Sequence, residues 1–263
     1  YREMNIGTAK PTPEELSLVP HYFINNLSVT DSYSVGNYIK EVNSFMKSYF
    51  DSNNNLIIVG GSGLFIDGIT KGLDTFPSVP LKIRNKLNLE FQKKGLDYLT
   101  DILRDVDKEY YSIVDLKNPR RVIRALEIYY SSNKPYSYYL KGKTSFRKDY
   151  SLKFIGLNPD KDELHLRITS RVDDMIKKGL VDEVKKLYKF RDLSPLHSVG
   201  YSELFKYLDN EFSLEAATEL IKLNTRKYSK RQLTWFKKNE HIKWYKNPNK
   251  FSEILSELDF FNN

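Results

Sequence analysis

The sequence predicts an α/β protein whose parallel-sheet core is interrupted by an all-helical insertion. Three observations point to it. Leu56-Ile57-Ile58-Val59 follows a run of asparagines and enters Gly60-Gly61-Ser62-Gly63 and then Leu64-Phe65-Ile66. That order reads as a strand buried on both faces, a tight turn and a helix start. From residue 77 to about 150 the apolar residues recur at helical spacing, with no strand-like alternation. Ser151-Leu152-Lys153-Phe154-Ile155-Gly156-Leu157 then resumes a strand pattern. The core is therefore expected over 1–76 and 151–263, and the insertion over 77–150.

Pro11, Pro13 and Pro20 restrict the first thirty or so residues to loops and short elements. Within them Thr12 suits an N-cap, Pro13 the first helical position, and Glu14 and Glu15 complement the helix dipole. From Tyr33 to Tyr49, Val35, Tyr38, Ile39, Val42, Phe45 and Met46 fall on one helical face. A turn at 51–55 leads into the 56–59 strand. After the boundary Phe76-Pro77-Ser78-Val79-Pro80, the insertion reads as helices over 81–94, 98–106 and 119–132. Beyond the 151–157 strand, Ile168, Val172, Met175, Ile176, Leu180, Val184 and Leu187 line one amphipathic helix loosened at Gly179. A short helix is expected near Val199, and Ser213 caps a long one running to about Lys238. Ile242-Lys243-Trp244-Tyr245 suits a short final strand, and 251–258 a last helix.

Composition narrows the function classes. A chain of 263 residues that is 40% hydrophobic and 14% aromatic can bury a substantial core. No apolar run approaches the roughly 20 residues of a membrane helix. The absence of cysteine rules out disulfides, thiolate catalysis and cysteine-ligated zinc in this chain, and fits a cytoplasmic protein. His21, His165, His197 and His241 have no metal-ligand spacing, so no metal site is expected from them. A net charge of +8 suits a polyanionic partner, or a general enrichment in lysine.

Several blocks narrow it further. Tyr1-Arg2-Glu3-Met4-Asn5-Ile6-Gly7-Thr8-Ala9-Lys10-Pro11 opens the chain, Val19-Pro20-His21 follows, and Gly60-Gly61-Ser62-Gly63-Leu64 comes next. Asn118-Pro119-Arg120-Arg121 leads to Arg124-Ala125-Leu126-Glu127. Val199-Gly200-Tyr201 and Lys230-Arg231-Gln232-Leu233-Thr234-Trp235-Phe236 complete the series. In order and spacing this resembles the tRNA dimethylallyltransferase (tRNA isopentenyltransferase) family, bacterial type, over nearly the whole chain. The resemblance implies a P-loop NTPase-like core. It also implies that the family's first strand, its G-x-x-x-x-G-K-[ST] loop and an Asp-Ser pair are missing before Tyr1. On that reading the chain as given is expected to be inactive while still binding RNA.

The resemblance also implies a chemistry: transfer of a dimethylallyl group from its diphosphate to N6 of the adenine next to the anticodon. Ser62 stands where the family usually has threonine, near the scissile C–O bond and the diphosphate; by itself it equally suits a position that needs a small residue. Thr8, Gly60 and Gly61 fall in the substrate loop. The family's tRNA contacts map to Arg84, to Arg120-Arg121-Val122-Ile123-Arg124, and to His197-Ser198-Val199-Gly200-Tyr201-Ser202. Many relatives carry arginine where His197 stands, so a fixed charge is lost there. Salt bridging to Glu127 is the competing reading of the arginines. On the last long helix, Ile221, Tyr228, Gln232 and Trp235 form one stripe. Arg226, Lys230 and Lys237 lie roughly opposite, with Lys227, Arg231, Thr234 and Lys238 on the flank. That pattern suits base stacking beside phosphate contact, and equally a half-buried helix with solvated lysines. The resemblance assigns Lys230, Arg231, Gln232 and Trp235 to tRNA. Mg²⁺ is expected to arrive with the diphosphate and the P-loop, with no metal ligand in this chain. The expected partners are tRNA and dimethylallyl diphosphate, with no membrane and a monomeric enzyme. Two alternatives stay open: an adenylate isopentenyltransferase, against which the basic insertion argues, and a non-catalytic RNA-binding remnant.

Overall fold

Helix boundaries in this chain are written largely in capping residues. In the computed structural model, which describes residues 1–140, 146–246 and 254–255, the helices in chain order are α1 (Pro13–Leu18), α2 (Val35–Tyr49), α3 (Gly63–Thr70), α4 (Leu81–Val106), α5 (Lys108–Ile113), α6 (Pro119–Ser132), α7 (Lys161–Lys177), α8 (Leu180–Leu187), α9 (Tyr201–Leu208) and α10 (Leu214–Phe236). Two strands, β1 (Phe154–Leu157) and β2 (Ile242–Tyr245), accompany them. Thr12 accepts from the Glu15 N–H, and the Glu15 carboxylate accepts from the Thr12 N–H at 2.8 Å, a reciprocal cap on α1. Ser34, Asn118 and Ser213 cap α2, α6 and α10 in one direction only, each side chain accepting a single N–H of the first turn. The chain divides into two compact units, Tyr1–Ile66 with Ser151–Asn263, and Asp67–Tyr150.

In the first unit, β1 and β2 pair in parallel, from Phe154 opposite Ile242 to Leu157 opposite Tyr245. Gly156 permits this pairing, because a Cβ there would meet the Trp244 ring at 2.5 Å. The apolar faces of α7, α8, α9 and α10 close over Val172, Leu180, Val184, Leu196, Tyr201, Leu204, Ala217 and Ile221. Gly179 does more than loosen one helix. At φ 95° it ends α7 and starts α8, a left-handed conformation that glycine adopts without steric cost.

The 56–59 segment departs from expectation. It carries no strand, and Ile57 and Val59 are 71% and 90% exposed. A strand buried on both faces needs a hydrogen-bonded neighbour, and none of the described strands pairs with this segment.

In the second unit, α4 and α6 pack around Leu87, Leu99, Leu103, Val122, Ala125 and Leu126. Gly95 breaks α4 (φ 80°, ψ −177°), which reconciles one continuous residue range with the two helices expected there. The short α5 was not anticipated. Asp107 caps it by accepting from the Tyr110 N–H at 3.0 Å, and also accepts from the Ser137 N–H and hydroxyl at 2.9 and 2.7 Å. The helix expected over 251–258 lies outside the described residues apart from Ile254 and Leu255, which are helical.

Candidate functional site

The Gly60–Gly63 turn is held from one side by α10. The Ser62 carbonyl accepts from the N–H groups of Phe65 and Ile66 at 3.1 and 3.2 Å, which starts α3. Gln232 Nε2 donates to the Gly61 carbonyl at 2.8 Å. A Cβ on Gly61 would come within 2.1 Å of that amide, and one on Gly63 within 2.2 Å of the Trp235 indole. A side chain on Gly63 would push the Trp235 ring aside, whereas one on Gly61 would need only the end of Gln232 to swing away, at the loss of its hydrogen bond. Ser62 between them is exposed. Gln232 and Trp235, expected on an RNA-facing stripe, brace this turn, while Trp235 keeps 41% of its surface open.

A second loop, residues 5–8, is fastened by one carboxylate. Glu183 on α8 accepts from the N–H groups of Asn5, Ile6 and Gly7 at 3.0, 2.8 and 3.1 Å. The Tyr201 hydroxyl donates to the same group at 2.7 Å. Burial, reinforced by Glu183, pushes the Tyr201 phenol far up. Gly7 lies against that ring, where a Cβ would meet Tyr201 atoms at 2.5 Å. Thr8 Oγ1 donates to the Met4 carbonyl at 2.7 Å. Lys10 Nζ donates to the Tyr1 carbonyl and to Asn5 Oδ1, each at 2.7 Å, and burial lowers its pKa. Glu3 accepts from the Ser28 hydroxyl and the Val29 N–H at 2.7 and 3.0 Å, which occupies it structurally.

In the second unit the arginines of the Asn118–Glu127 block separate into two kinds. Arg120 and Arg121 are exposed at the start of α6. Arg84 and Arg124 converge on Glu127: Arg84 Nε lies 2.7 Å from Oε1, and Arg124 Nη1 lies 3.0 Å from Oε2. The ion pairs to Glu127 that the competing reading foresaw are present for those two. The Glu127 bond raises the Arg84 pKa. Val122 is fully buried and Ile123 packs against the same cluster. The Val122 side chain lies inside the core of the unit and offers no surface to RNA, whereas Ile123 is only partly buried.

The 197–202 block forms the approach to α9. His197 is exposed, Ser198 donates to the Pro195 carbonyl at 3.1 Å, and Val199 packs on the core. Buried Gly200, at φ 100°, donates its N–H to Glu203 at 2.8 Å. Tyr201 is fully buried, with its hydroxyl on Glu183, so its side chain offers no open surface to RNA. Ser202 sits half-buried in the first turn of α9. On α10, Lys230 and Arg231 are exposed, and Arg231 lies 5.6 Å from the Tyr228 ring centre. Arg226 does not share their solvated face: it is half-buried and donates to Thr169 Oγ1 at 3.0 Å. Sequence reasoning missed Glu183 entirely, because nothing local marks a residue whose backbone partners lie 176 to 178 positions away.

Among the described residues, no three histidine or acidic side chains gather as a ligand set for a metal ion. No helix there is long and apolar enough to cross a membrane.

The family model described as IPP transferase matches residues 1–239. A tRNA dimethylallyltransferase of Bacteroides fragilis is 46% identical over 258 residues, covering 98% of this chain and 85% of that protein. Its counterpart in Flavobacterium johnsoniae is 42% identical, with 97% and 84% covered. Among solved structures, the tRNA isopentenylpyrophosphate transferase of Bacillus halodurans aligns with a TM-score of 0.67 at 32% identity, covering 98% of this chain and 83% of that one. A eukaryotic dimethylallyltransferase acting on tRNA aligns with a TM-score of 0.75 at 23% identity, covering 98% and 69%, a likeness of fold.

Proposed function

The chain belongs to the IPP transferase family of tRNA dimethylallyltransferases, and on that premise we propose how its two units share the work of modifying tRNA. The activity is transfer of a dimethylallyl group to tRNA. The relatives' names specify tRNA as acceptor, which sets aside an enzyme for free nucleotides.

The donor in this reading is dimethylallyl diphosphate and the acceptor N6 of the adenine next to the anticodon. A C–N bond forms at the allylic carbon as the C–O bond breaks. Its electron pair leaves with the diphosphate, and the proton of N6 passes to a general base, in this reading the aspartate of the Asp-Ser pair that the family resemblance implies. Charge grows on the departing diphosphate, so preorganised donors beside it lower the barrier. The observation that carries the assignment is the braced turn: Gly61 and Gly63 fixed under Gln232 and Trp235, with exposed Ser62 between them at the start of α3. Ser62 offers its hydroxyl to the leaving group, and Thr8, Gly60 and Gly61 shape the loops around it. An adenine inside the anticodon-loop stack must swing out to reach such a pocket.

The second unit, with Arg84, Arg120, Arg121 and Arg124, grips the tRNA backbone, as do His197, Lys230 and Arg231 in the first. Magnesium belongs to this reading only as an ion carried by the diphosphate. The described acidic and histidine residues form no ligand set for it, and no step is assigned to it. A monomeric, cytoplasmic enzyme is part of the same proposal.

Ser62→Ala in the full-length enzyme tests the central assignment. A lost transition-state hydrogen bond should slow single-turnover transfer by roughly 10²–10³, with tRNA affinity unchanged. A rate within a factor of about three of wild type removes Ser62 from the mechanism.

A further inference from the structure

Glu127 is nearly sealed, its side chain 5% exposed, yet both of its partners reach the surface, Arg84 at 47% and Arg124 at 39%. Arg84 gives it Nε at 2.7 Å and Nη2 at 3.4 Å, and Arg124 gives Nη1 at 3.0 Å. One carboxylate thus holds two guanidiniums, and the group carries a net positive charge. An ion pair that only joined α4 to α6 would be neutral and complete with a single arginine. Here donors are left over. Each guanidinium has five N–H groups. Arg84 Nη1 and Arg124 Nε and Nη2 have no hydrogen-bond partner among the described residues. Arg124 is steadied from another side by Phe76, whose ring centre lies 5.8 Å from its guanidinium carbon. Phe76 in turn stacks on Tyr136 at 4.6 Å and 20°.

We propose that Glu127 is a positioning residue that holds Arg84 and Arg124 as a two-pronged clamp for a backbone phosphate of the tRNA. The proposal rests on the reading that the second unit grips tRNA. Two guanidiniums side by side repel each other, and the carboxylate beneath offsets that repulsion while leaving the outward N–H groups free. A phosphate oxygen is the acceptor that fits planar forks of this kind.

The test turns on a sign. Glu127→Gln makes the protein more positive, so charge alone predicts tighter tRNA binding and a steeper salt dependence. Positioning predicts the opposite: affinity about tenfold weaker and a shallower salt slope, with kcat at saturating tRNA unchanged. Arg84→Lys supplies an independent reading in a variant that leaves Glu127 in place. Lysine keeps the charge but has no fork, so the clamp predicts a loss as large as that of Arg84→Ala. Glu127→Gln that binds tRNA as tightly as wild type, or Arg84→Lys at wild-type affinity, overturns the proposal. If Arg84→Ala/Arg124→Ala itself leaves affinity and salt slope unchanged, the tRNA-gripping reading fails and takes the clamp with it.

Discussion

Two glutamates organise the two units in opposite ways. Glu183 in the first is surrounded by neutral donors: three consecutive backbone N–H groups and one phenol. Glu127 in the second is surrounded by cations. The first arrangement uses the carboxylate's acceptor capacity to fix a loop and sends no positive charge outward. The second buries the acid and leaves positive charge at the surface. A carboxylate is thus a fastener or a mount, according to whether its partners are dipoles or ions. The loop fixed by Glu183 carries Thr8, which the proposed function places beside the substrate. The arginines mounted on Glu127 suit a partner met over a long backbone.

The largest effect should come from removing the fastener. Glu183→Ala leaves three backbone N–H groups and the Tyr201 hydroxyl without their acceptor. Unmet buried donors cost about 1–3 kcal/mol each, and water reaching the loop recovers part of that. A loss of roughly 3 kcal/mol is expected, with unfolding of the first unit falling by about 10 °C. The salt slope of tRNA binding should not move, because no phosphate contact is lost. Calorimetry and a salt titration of binding check the two halves separately. Unfolding at the wild-type temperature would erase the contrast between the two carboxylates.

The reverse pattern is expected from the arginines that no carboxylate holds. Arg120 and Arg121 are exposed at the start of α6, where cations oppose the helix dipole. Replacing both by alanine should leave stability within about 0.5 kcal/mol. If each meets a phosphate, the slope of log K against log salt should become shallower by roughly 1.4–1.8. Filter binding at several salt concentrations reads this directly. An unchanged slope in the folded double variant would remove α6 from the interface.

What could be read from the sequence follows the range of the forces involved. Caps at Thr12 and Ser213 act over three residues, and the structure repeats them. Gly95 and Gly179 interrupt helices as their missing side chains allow. The 56–59 run misled for a definite reason: four apolar residues state a preference for burial but say nothing about whether a ladder partner stands alongside. Asp107 was hidden because its second contact, Ser137, is 30 residues away. The α10 stripe was correctly seen as a stripe, while its contact with the glycine turn, 171 residues earlier, was invisible. Arg226 shows the limit of a helical wheel. The wheel places it opposite the aromatic stripe, but α7 supplies Thr169 on that side.

The smallest effect sharpens the comparison from within the first unit, because Glu3 is a lesser copy of Glu183. It too accepts neutral donors, the Ser28 hydroxyl and the Val29 N–H, but it takes two where Glu183 takes four. The Ser28 hydrogen bond holds its carboxyl below the ordinary value, against desolvation pulling the other way. A carboxyl depressed on folding stabilises the protein above its unfolded pKa, about 4.3 for glutamate, and loses that contribution as pH falls through the lower native value. Wild type should therefore exceed Glu3→Gln in stability at pH 7 by about 0.5–1 kcal/mol, the worth of a solvent-screened cap. The gap should close below about pH 4. Thermal unfolding of both proteins from pH 7 to pH 3 measures it. A gap that stays constant with pH would mean that Glu3 acts through its shape, and that the donor count separating it from Glu183 carries no electrostatic weight.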